Sequence, residues 1–230
     1  MPGILMVVAG LTVAGCASIE PDLGSLPAGS ELVATSGTAL RSVISAHFSI
    51  DVHGTVAGVA IRNAESDVDA RGTAQGSAGV TDSGALTRVD FVLLKGSFYV
   101  KGPTGRYQKA APTSAATVFD LTSILNPNHG IARAVIGVNG ATTKDTETVD
   151  GVQCYRITGT VAASGVAAVA PGIQSDADAT VWLTVSGEHL PVRAEFIVPG
   201  SHGSEGGKVD VSMSKVNAPV SVAAPASGAS

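Results

Sequence analysis

His47, Asp51 and His53 recur at every second or fourth position, a spacing that puts them on one face of an extended strand. Imidazole and carboxylate together are a donor set for divalent metals. A metal needs its ligands at a common point, whereas same-face neighbours on a strand lie about 6.5 to 7 Å apart, so a solvated polar face accounts for the three. No metal and no other cofactor is expected. His129, His189 and His202 fall in turn-like stretches, where a surface role is the default. Cys154 lies in the strand-like run "VQCYRITG" and reads as a half-buried inert thiol, because no local motif supports a nucleophile. The sequence contains no Gly-x-Ser-x-Gly elbow, no His-Glu-x-x-His, no Cys-x-x-Cys and no P-loop. "GSHGSEGGK" has Gly and Lys at the wrong spacing for a phosphate loop and reads as a hairpin connection. The chain is not expected to be an enzyme.

The other residue that could do chemistry is Cys16. Ile4 to Val13 is nearly unbroken in hydrophobicity but about half the length a helix needs to cross a bilayer, which is the length of a signal-peptide core. Val13-Ala14-Gly15-Cys16 then places two small residues directly before the cysteine and resembles a bacterial lipoprotein lipobox. On this reading residues 1–15 are a signal peptide, Cys16 becomes the first mature residue, and its thiol carries a diacylglycerol. Several acyl chains on one residue, at about 0.8 kcal/mol per buried CH2, anchor stably where a single chain is marginal. The basic stretch that opens such a signal is not seen, since Arg41 is the first positive charge. The alternative, a buried thiol in an N-terminal helix, conflicts with Pro21, Gly24, Pro27 and Gly29. Residues 16–30 read as a flexible tether with a mean reach of about 20 Å.

The 230 residues suit one domain, expected over 31–222, followed by a frayed tail over 223–230. Hydrophobic residues make up 44% of the chain and aromatics only 4%, so the apolar content rests on Ala, Val, Leu and Ile. A net charge of -5 without any run of Lys or Arg removes the basis for nucleic-acid binding or for a polybasic membrane patch. With Cys16 acylated, Cys154 has no intrachain partner, and the fold must stand on its core.

Glu31 to Ala46 has Leu32, Leu40, Val43 and Ile44 at helix-compatible spacing, with Gly37 as a weak point. From His47 the period changes to two, and Phe48, Ile50 and Val52 share one face. Further strands are predicted around Val59 to Arg71, Thr73 to Val80, Leu86 to Lys95 and Ser97 to Lys101. Short turns separate them, favouring antiparallel hairpins and a meander. Thr113 to Val138 is read as two short helices broken at Asn126 to Gly130. Strands resume around Asp150-Gly151, a strong hairpin signal, and after a short helical excursion at Ala162 to Ala170. "ATVWLTVSGEHLPVRAEFIV" and "GKVDVSMSKVNAPV" complete an α+β domain built on an antiparallel sheet.

Ile124-Leu125-Asn126-Pro127-Asn128-His129-Gly130-Ile131, Asp150-Gly151 before Tyr155-Arg156-Ile157-Thr158-Gly159, Ala179-Thr180-Val181-Trp182-Leu183, and Ser214-Lys215 with Ala218-Pro219-Val220 occur in a distinctive order. Together with Ser45-Ala46-His47 and the Cys16 segment, they resemble the LppX/LprAFG family of mycobacterial lipoproteins across residues 30 to 222. One departure is Val216, where the family usually has an aromatic.

The resemblance implies a curved half-barrel with helices over its concave face, similar to the LolA and LolB carriers, enclosing an apolar cavity. It implies a multi-acyl lipid or glycolipid as ligand, and transfer from the plasma membrane, to which the anchor ties it, towards the outer envelope. The protein would face the periplasm-like space, with a membrane lipid exporter as a further partner. With nine aromatics in the whole chain to plug space, the interior is expected to be underfilled. Alternation assigns Phe48, Ile50, Val52, Val59, Ile61, Ala78, Val80, Phe91 and Leu93 to the cavity walls. Leu121, Ile124, Leu125, Ile131, Val135 and Ile136 are assigned to the covering helices. The competing reading is a structural or adhesive envelope lipoprotein with a filled core.

Overall fold

The computed structural model describes residues 25–82, 84–110, 124–168, 170, 172–200 and 205–225. Where apolar and polar residues alternate the chain is extended, and where Gly, Asn or Asp interrupt the alternation it turns. β1 (Ser45–Gly54), β2 (Ile61–Asp69), β3 (Ala74–Asp82), β4 (Ala85–Leu94), β5 (Ser97–Lys101) and β6 (Tyr107–Ala110) form one meander. β7 (Val138–Val149), β8 (Val152–Val161), β9 (Ala177–Thr184), β10 (Pro191–Val198) and β11 (Gly207–Ser214) form a second. Tight connections hold the hairpins. Lys95-Gly96 and Asp150-Gly151 both carry two successive positive φ angles, the primed-turn geometry that matches strand twist.

The two meanders meet where β1 pairs antiparallel with β11, from His47 opposite Ser214 to Gly54 opposite Gly207. The result is an open antiparallel sheet of 11 strands in the order β6-β5-β4-β3-β2-β1-β11-β10-β9-β8-β7. A clasp beyond β11 reinforces this seam: the Ile44 amide donates to Asn217 Oδ1 (2.9 Å) and the Ser45 hydroxyl donates to the Ala218 carbonyl (2.6 Å). One sheet face is apolar. Val89, Ala78, Ala64, Ile50, Val211, Ala194, Val181 and Ile157 lie level in a row that crosses eight strands, large side chains interspersed with alanines.

Three helices are present among the described residues: α1 (Gly29–Leu40), α2 (Gly130–Ile136) and the single-turn α3 (Ala163–Val166). α1 buries Leu32, Val33, Ser36, Gly37 and Leu40, one stripe at helical spacing. Gly37, a weak point in sequence terms, lies against α2: a Cβ there would overlap the Ile136 side chain.

Several expectations need correction. The first helix stops at Leu40 instead of Ala46, because Ser45 and Ala46 are claimed by β2, opposite Asp69 and Val68. Ile44, expected on its apolar face, is 64% exposed. Gly29 and Ser30, read as the end of the tether, are the first turn of α1. β6 was not foreseen, since Tyr107–Ala110 shows no apolar alternation; its backbone pairing with β5 makes it a strand. Val59 sits in the turn before β2, its amide bonded to the Val56 carbonyl. Of the two expected central helices, the second is α2; the first, with Val118 and Leu121, lies outside the described residues, and Ile124-Leu125 form a turn.

Candidate binding site

Ile124 and Ile131 are drawn together by a backbone bond from the Ile131 amide to the Ile124 carbonyl (3.0 Å), which closes the Asn126–Gly130 break into a compact turn. Gly130 takes φ +62° there, a conformation that costs a side-chain-bearing residue about 1–2 kcal/mol. This turn sets α2 over the apolar sheet face so that Ile131, Ala134 and Val135 point down. Facing them are Ile50 of β1, Val138 of β7, Val181 of β9, Ala194 and Phe196 of β10, and Val211 and Met213 of β11, with Arg193 the one charged residue at the margin.

The space between has a free volume of about 20 Å³. That is room for roughly one water, while ligand pockets for small molecules run to about 300–1,000 Å³. α2 and the sheet face beneath it belong to one packed core.

Four of the expected cavity residues are brought together here: Ile50, Ile124, Ile131 and Val135. Phe48, Val52, Ile61, Ala78, Phe91, Leu93 and Leu125 are buried in the same core but lie beside this space, and Val59 and Val80 are only half-buried against it. Ile136 is displaced from the expected set: it is 44% exposed and packs over Gly37, because the helical period turns it away from the sheet. Leu121 and Cys16 lie outside the described residues. Sequence reasoning missed Phe196, Val211 and Met213. Their signal was present, since Ala194, Phe196 and Val198, and Val209, Val211 and Met213, alternate as cleanly as Phe48, Ile50 and Val52. What was hidden is that β11 pairs with β1.

The opposite face of the sheet is polar, and its histidines do not converge. His47 pairs with Asp67 (2.8 Å), while His53 lies 3.6 Å from Asp210. Among the described residues no group of three or more His, Cys, Asp or Glu is placed to hold a metal ion. Cys154 is fully buried with Val149 and Trp182, and that burial, with the charges of Glu147 and Asp150, pushes its thiol pKa up. A thiol held protonated is a poor nucleophile. No described helix is long and apolar enough to cross a membrane.

The family described as LppX_LprAFG lipoprotein has a model that matches residues 28–222. The Mycobacterium tuberculosis lipoarabinomannan carrier protein LprG is 29% identical over 222 residues, covering 95% of this chain and 91% of that protein. Its Mycobacterium leprae counterpart is 28% identical over 218 residues, covering 93% and 89%. Among solved structures, the M. tuberculosis lipoprotein LppX superposes with a TM-score of 0.62 at 28% identity, over 86% of this chain and all (100%) of that one. LprF from Mycobacterium bovis gives 0.75 at 20% identity over 86% and 97%, a likeness of fold.

Proposed function

The chain belongs to the LppX_LprAFG lipoprotein family, and from that premise we propose that it is an envelope lipoprotein that binds acylated lipids and carries them, without chemistry on them. The observation that carries this reading is the lining of the space under α2, which is made almost wholly of aliphatic side chains, Met213 and one phenylalanine. Acyl tails ask for dryness and shape, and such walls supply both. The carrier name of the LprG relatives agrees with it.

Loading requires α2 and the Asn126–Gly130 turn to lift from the sheet. The cost of parting is small where a tail takes the lid's place, because the sheet face beneath Ile131, Ala134 and Val135 then packs against CH2 groups and stays out of water. One long chain withdrawn from water is worth on the order of 10 kcal/mol, so a multi-acyl lipid barely leaves a membrane unaided, and a protein that hides its tails lowers that barrier. In this proposal residues 1–15 direct export, acylated Cys16 holds the protein at the plasma membrane, and residues 17 to 28 are the leash. Cargo moves towards the outer envelope, with a membrane lipid exporter as a further partner.

A second reading, a structural or adhesive envelope lipoprotein with a filled core, is favoured by the small free volume of about 20 Å³. Solvent extraction of the purified full chain followed by lipid-resolved mass spectrometry separates the two. A non-covalent lipid bearing two or more acyl chains is the expected finding; a protein free of such lipid supports the filled core.

A further inference from the structure

The sequence has no run of Lys or Arg, yet the terminal hairpin of the sheet gathers them. Between Asp90 and Asp120 no carboxylate occurs, while Lys95, Lys101, Arg106 and Lys109 lie there, four of the 14 basic residues in a chain of net charge -5. Strand pairing sets two tyrosines among them: Tyr99 stands opposite Lys109, and Lys101 opposite Tyr107. These four share the polar face, because Phe98 and Val100 of β5 turn to the core. Lys101 lies over the Tyr107 ring, 5.2 Å from its centre, and neutralises Asp90 at 2.7 Å. Inward of Tyr107 the polar face holds Glu65, Asp67 and Asp90 beside Arg88, so the positive surface is the outer margin of the sheet. Lys95 and Arg106 sit in the turns at opposite ends of β5, with Lys109 on β6 between them, and all three are exposed.

Lysines on an edge strand also discourage sheet-to-sheet association. That duty does not call for a single sign, since the other edge strand, β7, carries Lys144 beside Asp145 and Glu147. An edge of one sign, set with tyrosines that combine an apolar ring and a polar tip, matches the interface of an anionic bilayer. We propose that the β5–β6 margin docks the domain on an anionic membrane surface. The attraction is Coulombic and asks for no particular head group. It also goes beyond the carrier reading, since no cargo takes part. The proposed leash meets the domain at the opposite edge, where the Thr143 hydroxyl of β7 donates to the Pro27 carbonyl (2.7 Å). A domain held by a leash alone is free to turn. A second contact at the far edge fixes which side faces the bilayer.

The test uses the full chain carrying Cys16→Ala, floated on a density gradient with vesicles of phosphatidylcholine alone or of phosphatidylcholine with phosphatidylglycerol. No basic residue precedes Arg41, so the apolar N-terminal stretch favours neither vesicle and the difference between them reads charge. Each Lys or Arg near an anionic surface is worth about fivefold in partition, and three about a hundredfold when all reach it. The anionic vesicles should therefore retain the protein at least about tenfold better at low salt. In about 1 M salt, where screening acts within about 3 Å, the difference should vanish. The variant Lys95→Gln, Arg106→Gln, Lys109→Gln, changed only at exposed positions, should lose the difference at low salt. Arg41→Gln, Arg133→Gln, Lys144→Gln removes the same charge elsewhere and should keep it. An equal loss in both variants would mean that total charge acts, and overturns the assignment. A difference retained by the first variant overturns it too. No difference in the parent chain leaves the margin to an acidic protein partner, and equally overturns the docking on a bilayer.

Discussion

Asp210 is the most heavily used carboxylate on the polar sheet face. Burial raises its pKa, but hydrogen bonds from Arg193 and Lys208 more than offset this and hold it below the usual 3.8. A carboxyl group whose folded pKa is lowered adds stability above its unfolded pKa and loses it as pH falls through the folded value. Asp210→Asn is therefore expected to destabilise the protein by about 1–3 kcal/mol at neutral pH. The deficit should shrink in acid, as the parent carboxyl protonates. Urea midpoints measured at pH 7 and near pH 3 check this; an equal deficit at both values would mean that the loss is one of packing and not of charge. At the same scale Cys154 was legible as inert from its surroundings in the sequence. Its burial beside Trp182 was not, because Arg156 opposite Trp182 is a pairing between strands some 26 residues apart.

Among elements, strands were easier to read than helices. Period two is local and is enforced by a single buried face, so β1 and β5 were legible to within a residue or two, as was the Asp150-Gly151 turn. The end of α1 was not, because partners far along the chain decide it: Asn217 fixes the Ile44 amide, and β2 takes Ser45. The family motifs turn out to be neighbours: Tyr155 to Gly159 pairs residue for residue with Ala179 to Leu183. Ala78 tests the inner face directly. It is buried level with Ala64 and Ile50, on the row that leads under α2. Ala78→Trp should fill tail volume and lower the lipid co-purifying with the full chain several-fold. Such overpacking costs about 1–3 kcal/mol, so folding is verified by circular dichroism before loading is read. Undiminished lipid in a folded variant would place the tails elsewhere.

At the scale of the whole molecule, the proposed anchor and the described domain are separable claims. Cys16→Ala should move the full chain from the detergent to the aqueous phase in a Triton X-114 partition and abolish palmitate labelling, with the far-ultraviolet spectrum unchanged. Persistent detergent partition would put the anchor elsewhere. The sequence order of the strands conveyed antiparallel hairpins and a meander but could not convey that two meanders join, since a seam between the first and last strands leaves no local trace. That seam also governs when the fold can exist at all. Hydrogen bonds at its end link residues 173 positions apart, a non-local pairing of the kind whose loop-closure entropy slows folding. Until β11 is available, β1 keeps one ladder unpaired and the sheet has no middle. A chain delivered from its N-terminus through a narrow channel therefore stays unfinished, and hence threadable, until nearly its last residues have passed.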